Sequence, residues 1–326
     1  MSEEPTYLLE ISRLRVQNAN TISSPMTWGF PAMSAFVGLM HALERKLDNR
    51  GIELFIDAVG VICHRHEPQI STETFPHTFR LTRNPVAKDG STAAIVEEGR
   101  IHLDISLIFS VRGNACADPD STARHVEEII QTLRIAGGTV QPALPGTRRQ
   151  RSTRLIPVDE NPDERAKQYR KLLRSWLPGF TLVARDDLLH ERWDELRKKD
   201  EKTTLLDAWL DLSRLNMECH AGEETSNDDS TSEPKVKWEA RRPPGWIVPI
   251  PVGYGALTPL HDPGSVSAAR DASTPFRFVE SLYSIGEWRS PHRLDSPRQL
   301  MWFPVTDPDQ GRYRLQNEFV TFNPNT

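Results

Sequence analysis

Three cysteines in 326 residues, Cys63, Cys116 and Cys219, make no even disulfide framework and no CxxC pair for a zinc ribbon. The expectation is reduced thiols in a cytoplasmic protein. No apolar run approaches the roughly 20 residues of a bilayer-spanning helix, which argues against a membrane span. The opening MSEEPTYLLE has neither a cationic start nor an apolar stretch, so it does not read as a secretion signal. A P-loop, HExxH, GxSxG and GxGxxG are all missing. An enzyme is therefore unsupported, and no cofactor is indicated.

A basic footprint is also missing from the totals: Lys and Arg number 40 against 45 Asp and Glu, a net charge of -5. Such a balance disfavours a polyanion partner. The average hides two opposite segments. From Arg148 to Arg174 Arg and Lys dominate, whereas from Glu218 to Glu233 there are six acidic residues and no Lys or Arg. The acidic run has no aromatic or large apolar side chain, cannot offset its ordering entropy by burial, and reads as a disordered loop at about 219–235. A solvated helix face accounts for the basic run as well as a nucleic-acid patch does.

What is present begins with a strand over Leu8–Val16, followed by a polar stretch carrying Trp28 and Phe30. Phe36, Leu39, Met40, Leu43 and Leu47 recur at helical spacing and predict a first helix. Ile52–His64 reads as a second strand. Ile101–Val111 is the clearest third, because Ile101, Leu103, Ile105, Leu107 and Phe109 alternate with polar residues. Val126, Ile129, Ile130 and Leu133 mark a second helix, ended at Gly137-Gly138 before Thr139 and Val140. Strand, helix, strand, strand, helix, strand defines an α+β, ferredoxin-like (RRM-like) sheet with helices on one face. The segment between the second and third strands, about 66–99, contains Asn84-Pro85 and Asp89-Gly90 turn signals and predicts a projecting hairpin with Arg80, Arg83 and Lys88 near its tip. The expected division is a core over 1–145 and, over 146–326, an extension with a basic helix up to Trp176, a short strand at Phe180–Ala184, further helices near Leu188–Leu196 and Leu205–Leu215, and a Pro-rich aromatic tail.

Few residues suggest chemistry. His64 and His66, at i and i+2, can face one side of a strand and bind a metal, but a wet strand end explains them equally and no third ligand is evident. Gly137-Gly138 after Arg134 reads as a helix C-cap or as a turn that lets an RNA backbone approach closely. Trp28 and Phe30 serve the core or stack on bases, with Asn and Ser beside them able to reach nucleotide edges or phosphates.

The strings RLRVQNANTISSPMTWGFP, VICHR, LTRNP, KDGSTAAIVEEGR, LRIAGG, LPGF, PGWIVPIPVGY, RFVESLYSIGEW and SPHR, in this order from about residue 8 to residue 293, resemble the Csy-type handle-binding subunit of the type I-F CRISPR surveillance complex, a branch of the RAMP superfamily. The resemblance implies a non-catalytic crRNA-binding subunit that grips the 5′ handle of the guide RNA. It also implies pairing with the large subunit as a heterodimer, capping of the backbone filament, and indirect engagement of target DNA in defence. The family's RAMP core is a modified ferredoxin-like fold whose inserted β-hairpin thumb folds over the guide RNA. Carried onto this chain, Gln17, Asn18, Asn20, Ser23 and Ser24 line the handle surface, and Trp28 stacks on a splayed base or braces the loop. Arg83, Asn84 and Lys88 belong to the thumb, and Arg134, Gly137, Gly138 and Arg293 are further RNA contacts. Two other readings stand beside it: a metal-dependent RNA-processing enzyme using His64 and His66, and an assembly protein contacting its partner through IPVGYGALTPL.

Overall fold

The computed structural model describes residues 4–73, 77–83, 86, 89–92, 95–142, 152–221, 236–241, 245–269 and 271–320. The chain opens with β1 (Tyr7–Asn20), then β2 (Ile22–Ser24), β3 (Thr27–Trp28), α1 (Met33–Asp48), β4 (Phe55–Pro68), β5 (Ile70–Ser71), β6 (Thr78–Phe79), β7 (Leu81–Arg83), β8 (Ile95–Glu97), β9 (Arg100–Arg112), α2 (Pro119–Ile130), β10 (Arg134–Ile135) and β11 (Gly138–Val140). It continues through β12 (Thr153–Pro157), α3 (Pro162–Ser175), β13 (Phe180–Ala184), α4 (Asp186–Arg197), α5 (Leu205–Ser213), β14 (Asn216–Ala221), β15 (Val236–Arg241), β16 (Ile247–Ala256), β17 (Val279–Arg289), β18 (Met301–Asp307) and β19 (Arg312–Asn317).

Local sequence explains where the helices start. Asp118 caps α2 by accepting the Ser121 N–H at 3.1 Å, with Pro119 at the first helical position. Asn161 caps α3 in the same way, ahead of Pro162. The stripe Phe36, Met40, Leu43 and Leu47 of α1 is buried against Leu9, Ile11, Leu14 and Val16 of β1, together with Val126, Ile129 and Ile130 of α2. Each such side chain contributes roughly 1.5–3 kcal/mol when fully removed from water.

Among the described residues an eleven-stranded sheet runs β10-β11-β1-β9-β4-β13-β17-β16-β19-β18, with β12 added on β1. The pairings β11–β1, β1–β9 and β9–β4 are all antiparallel. β18 also pairs with β4, at Met301↔Gly60 and Trp302↔Val59, so the ladder returns on itself through six strands. Trp302, fully buried, donates its indole N–H to the Leu182 carbonyl at 2.9 Å.

Several expectations need correction. Helices do not sit on one face alone: Leu8, Ala58, Ile62 and Ile108 pack on the other face against Tyr169, Leu172, Leu173 and Trp176 of α3. β1 runs past Val16 to Asn20, because β9 and β11 supply partners for its polar end (Asn20↔Arg100, Gln17↔Thr139). Gly137-Gly138 caps no helix; α2 ends at Ile130, Gly137 lies in the turn between β10 and β11, and Gly138 opens β11 opposite Ile135. Cys219 to Ala221, expected within a disordered loop, pair with Val236 to Trp238 in the β14–β15 ladder, and 222–235 lie outside the described residues. The Pro-rich tail forms β16, in which Pro249 and Pro251 fall where, among the described residues, only β17 is a partner; β19 joins at Gly253 to Gly255. Proline lacks the N–H for a second ladder and is confined to such edges.

Candidate nucleic-acid interface

The polar end of β1 is irregular. Its register against β9 shifts between Ile11 and Leu14 and again between Val16 and Ala19, and Arg13 and Asn18 take φ values of 55° and 58°. The Asn18 N–H donates to His102 Nδ1 at 3.1 Å, and Arg100 Nη1 donates to the Asn18 carbonyl at 3.4 Å. Gln141 Nε2 donates to Gln17 Oε1 at 3.0 Å. Gln17 thus lies in a polar depression of about 370 Å³ with Arg15, Arg65, Glu67, His102 and Gln141.

Asn20 closes an Asx turn: its Oδ1 accepts the Ile22 N–H at 3.0 Å and its Nδ2 donates to the Ile22 carbonyl at 2.8 Å. Its own N–H donates to the Ala136 carbonyl at 2.8 Å, which fastens the β10–β11 turn to the end of β1. Ala136 and Gly137 have φ values of 48° and 77°, the pair of left-handed residues a tight two-residue hairpin requires. Gly138 has a different reason to be glycine. A Cβ there would stand 2.7 Å from the Ala19 nitrogen and 2.8 Å from the Gln17 oxygen. Arg134 Nη1 returns over the turn to the Gly137 carbonyl at 3.2 Å.

Hydroxyls knit the β2–β3 hairpin. Ser23 Oγ lies 2.8 Å and Ser24 Oγ 2.6 Å from Thr27 Oγ1, and Ser24 is buried. Trp28 emerges from this hairpin 54% exposed, edge-on to Phe79 at 5.5 Å. Phe30 turns inward, stacked on Phe36 at 5.7 Å and edge-on to Trp288 at 4.9 Å.

These pieces border a cleft of about 650 Å³ that brings together Asn20, Ser23, Ser34, His41 and Gly137 with Tyr254 and Tyr313. The two tyrosine rings stack at 6.4 Å and 27°, held by β16–β19 pairing. Burial and the neighbouring Tyr254 raise the Tyr313 phenol above its ordinary value, keeping it a donor. The first turn of α1 forms part of the wall, and no side chain caps that helix at Ala32. A second cavity of about 390 Å³, walled by aromatic residues, shares Ser23, Pro31 and Ala32 with this cleft. Hydroxyl and amide groups beside aromatic rings are among the means by which proteins hold the bases of single-stranded nucleic acid.

Other predicted residues lie elsewhere. Arg83 ends β7, opposite Ile95 of β8; its side chain, Asn84 and Lys88 lie outside the described residues. Arg293 is exposed on the 3-10 turn Pro291–Arg293 and lines neither cavity. His64 sits with Nδ1 2.7 Å from the Pro178 carbonyl and Nε2 2.7 Å from Ser106 Oγ. Among the described residues no three His, Cys, Asp or Glu side chains converge as metal ligands. Sequence reasoning named none of Tyr254, Tyr313, Trp246 and Trp288 as site residues; the signals were the aromatic enrichment of the tail and the strings PGWIVPIPVGY and RFVESLYSIGEW, which hold Trp246, Tyr254 and Trp288.

The profile of the family described as CRISPR-associated protein (Cas_Csy2) matches residues 9–315. The chain belongs to this family of CRISPR-associated proteins. It is similar to the CRISPR-associated protein Csy2 of Pseudomonas aeruginosa (strain UCBPP-PA14), with 46% identity over 315 residues, 95% of each chain. This is the type I-F Csy relationship that the conserved-order strings of the sequence indicated. No helix among the described residues is long and apolar enough to cross a membrane.

Proposed function

We propose that this protein is the non-catalytic subunit that grips the 5′ handle of the guide RNA, pairs with the large subunit and caps the backbone filament. The observation that carries the reading is the cleft in which Asn20 and Ser23 of the first strand and its hairpin meet Gly137 and the stacked Tyr254 and Tyr313. Ferredoxin-like organisation of the core is supported by the strand order β11-β1-β9-β4, with α1 and α2 in the two crossovers. The paired β5–β6 and β7–β8 segments support a thumb. In this reading Gln17 and Asn18 flank the strand path, Ser24 holds the hairpin, and Arg134 holds the glycine turn.

Binding of fluorescent handle RNA and of a scrambled RNA of equal length, to the protein alone and to its pair with the large subunit, tests the proposal. Tight handle-selective binding without cleavage, unchanged by EDTA, is expected. Equal weak binding to both RNAs overturns it. For the thumb, removing Arg83 and Lys88 together should flatten the salt dependence by roughly 0.7 per lost phosphate contact.

A further inference from the structure

The aromatic cavity beside the cleft is not needed to hold a backbone, yet it is a predominantly apolar recess near the proposed RNA path. Trp28 and Trp246, 54% and 51% exposed, both contribute to its walls. Trp246 is fixed by two rings, edge-on to Phe180 at 5.5 Å and tilted against Trp288 at 6.1 Å; Trp288 is in turn held edge-on by Phe30. The walls are therefore braced before any ligand arrives, and open indole surface that folding leaves wet is surface available to a partner. Leu182 and Ile250, both buried, also line it, and His66 adds a polar side chain.

Size and neighbourhood select the occupant. At about 390 Å³ the cavity is at the small end of ligand pockets and far too small for a helix or strand. It shares Ser23, Pro31 and Ala32 with the cleft holding Asn20, Ser34 and His41, so its neighbouring surface is polar. An inserted side chain of a protein partner needs an interface of roughly 800 Å² per partner around the anchor to hold it there. A nucleobase needs only a flat aromatic wall, with its own backbone lying in a polar groove alongside.

We infer that the cavity receives one unpaired nucleobase of the bound strand, swung out of its stack against the indoles of Trp28 and Trp246. The inference rests on the handle reading and deepens it, since it gives one position of the strand a dedicated receptor.

The test is a coupling measurement between protein and RNA. Wild type, Trp246→Ala and Trp246→Phe are titrated with handle RNA and with a set of handle RNAs carrying one abasic nucleotide each. Trp246→Ala should weaken binding of intact RNA by about tenfold, the size of a lost base–aromatic stack, and Trp246→Phe should recover most of it. At one abasic position alone, wild type should be weakened to a similar extent and Trp246→Ala should add no further loss. The same coupling is sought on the scrambled RNA. Handle selectivity with no abasic position coupled to Trp246 overturns the base receptor and leaves the handle reading intact. Coupling on both RNAs without selectivity supports the receptor and removes the handle reading. Loss of partner-subunit binding by Trp246→Ala with RNA binding unchanged overturns the inference in favour of a protein anchor.

Discussion

The backbone N–H of Asn18 donates to His102 Nδ1 at 3.1 Å from a φ of 58°. A left-handed residue inside a strand reaches sideways to β9 because the register has slipped between Val16 and Ala19. Asparagine tolerates this conformation; a β-branched residue does not. Asn18→Val should lower stability by about 1–2 kcal/mol in urea unfolding, and Asn18→Gly by much less. Equal losses for the two variants would show that the side chain, not the backbone, is what matters there.

Trp28 separates binding from folding. Its ring is half exposed and touches Phe79 only by an edge, so Trp28→Ala should leave Tm nearly unchanged. Handle RNA affinity should fall by about 1–3 kcal/mol if the ring carries a base. A lowered Tm with normal affinity of the folded fraction would assign Trp28 to bracing.

The two adjacent glycines should behave differently on mutation to alanine. At Gly137 an added Cβ meets nothing within 4 Å, and only the φ of 77° opposes it, a strain of about 1 kcal/mol. At Gly138 it strikes the backbone of Ala19 and Gln17, so β11 must separate from β1, at a cost of about 1–3 kcal/mol. Thermal melts of the two variants should rank in that order, and Gly138→Ala should disturb RNA binding indirectly, through Gln17, whereas any effect of Gly137→Ala on RNA binding would be direct, from its place in the cleft.

Burial, reinforced by Asp104, pushes the Cys63 thiol up to about 12. The unfolded chain releases this proton at an ordinary thiol value and the folded chain does not. Stability from this group is complete below the ordinary value and declines as pH rises toward about 12. At pH 8 iodoacetamide should label exposed Cys219 and spare Cys63 and Cys116, as read by peptide mass spectrometry. Rapid labelling of Cys63 would mean that β4 opens.

Periodicity made the first half of the fold legible. Phe36, Met40, Leu43 and Leu47 are spaced for a helix and are buried as one; the alternation over Ile101–Val111 survives in burial only as far as Ile105, because from there to Val111 β9 is buried on both faces, Ser106 and Ser110 included. Contacts set by distant pairing were not legible. Tyr254 meets Tyr313 only because β16 and β19 are neighbours, and nothing local to either residue announces the stack. The same holds for Asn20, whose strand character depends on Arg100, and for β16, whose prolines argue against a strand until the missing neighbour at that edge is known. Of the candidate cleft, Asn20, Ser23 and Gly137 could be named from sequence, whereas the tyrosine wall could not.

The return of β18 to β4 has a consequence for synthesis. β4 is made early, and its contact with β18 at Val59 and Gly60 must wait until Met301–Asp307 has left the ribosome. Through most of translation that stretch of β4 is an open edge, the kind of surface on which nascent chains pair wrongly. Leu300, whose side chain would collide with any Cβ at Gly60, seats the late strand against the early one. Stalled or prematurely terminated products should therefore be the aggregation-prone species of this protein, and the finished chain the first form whose β4 edge is closed.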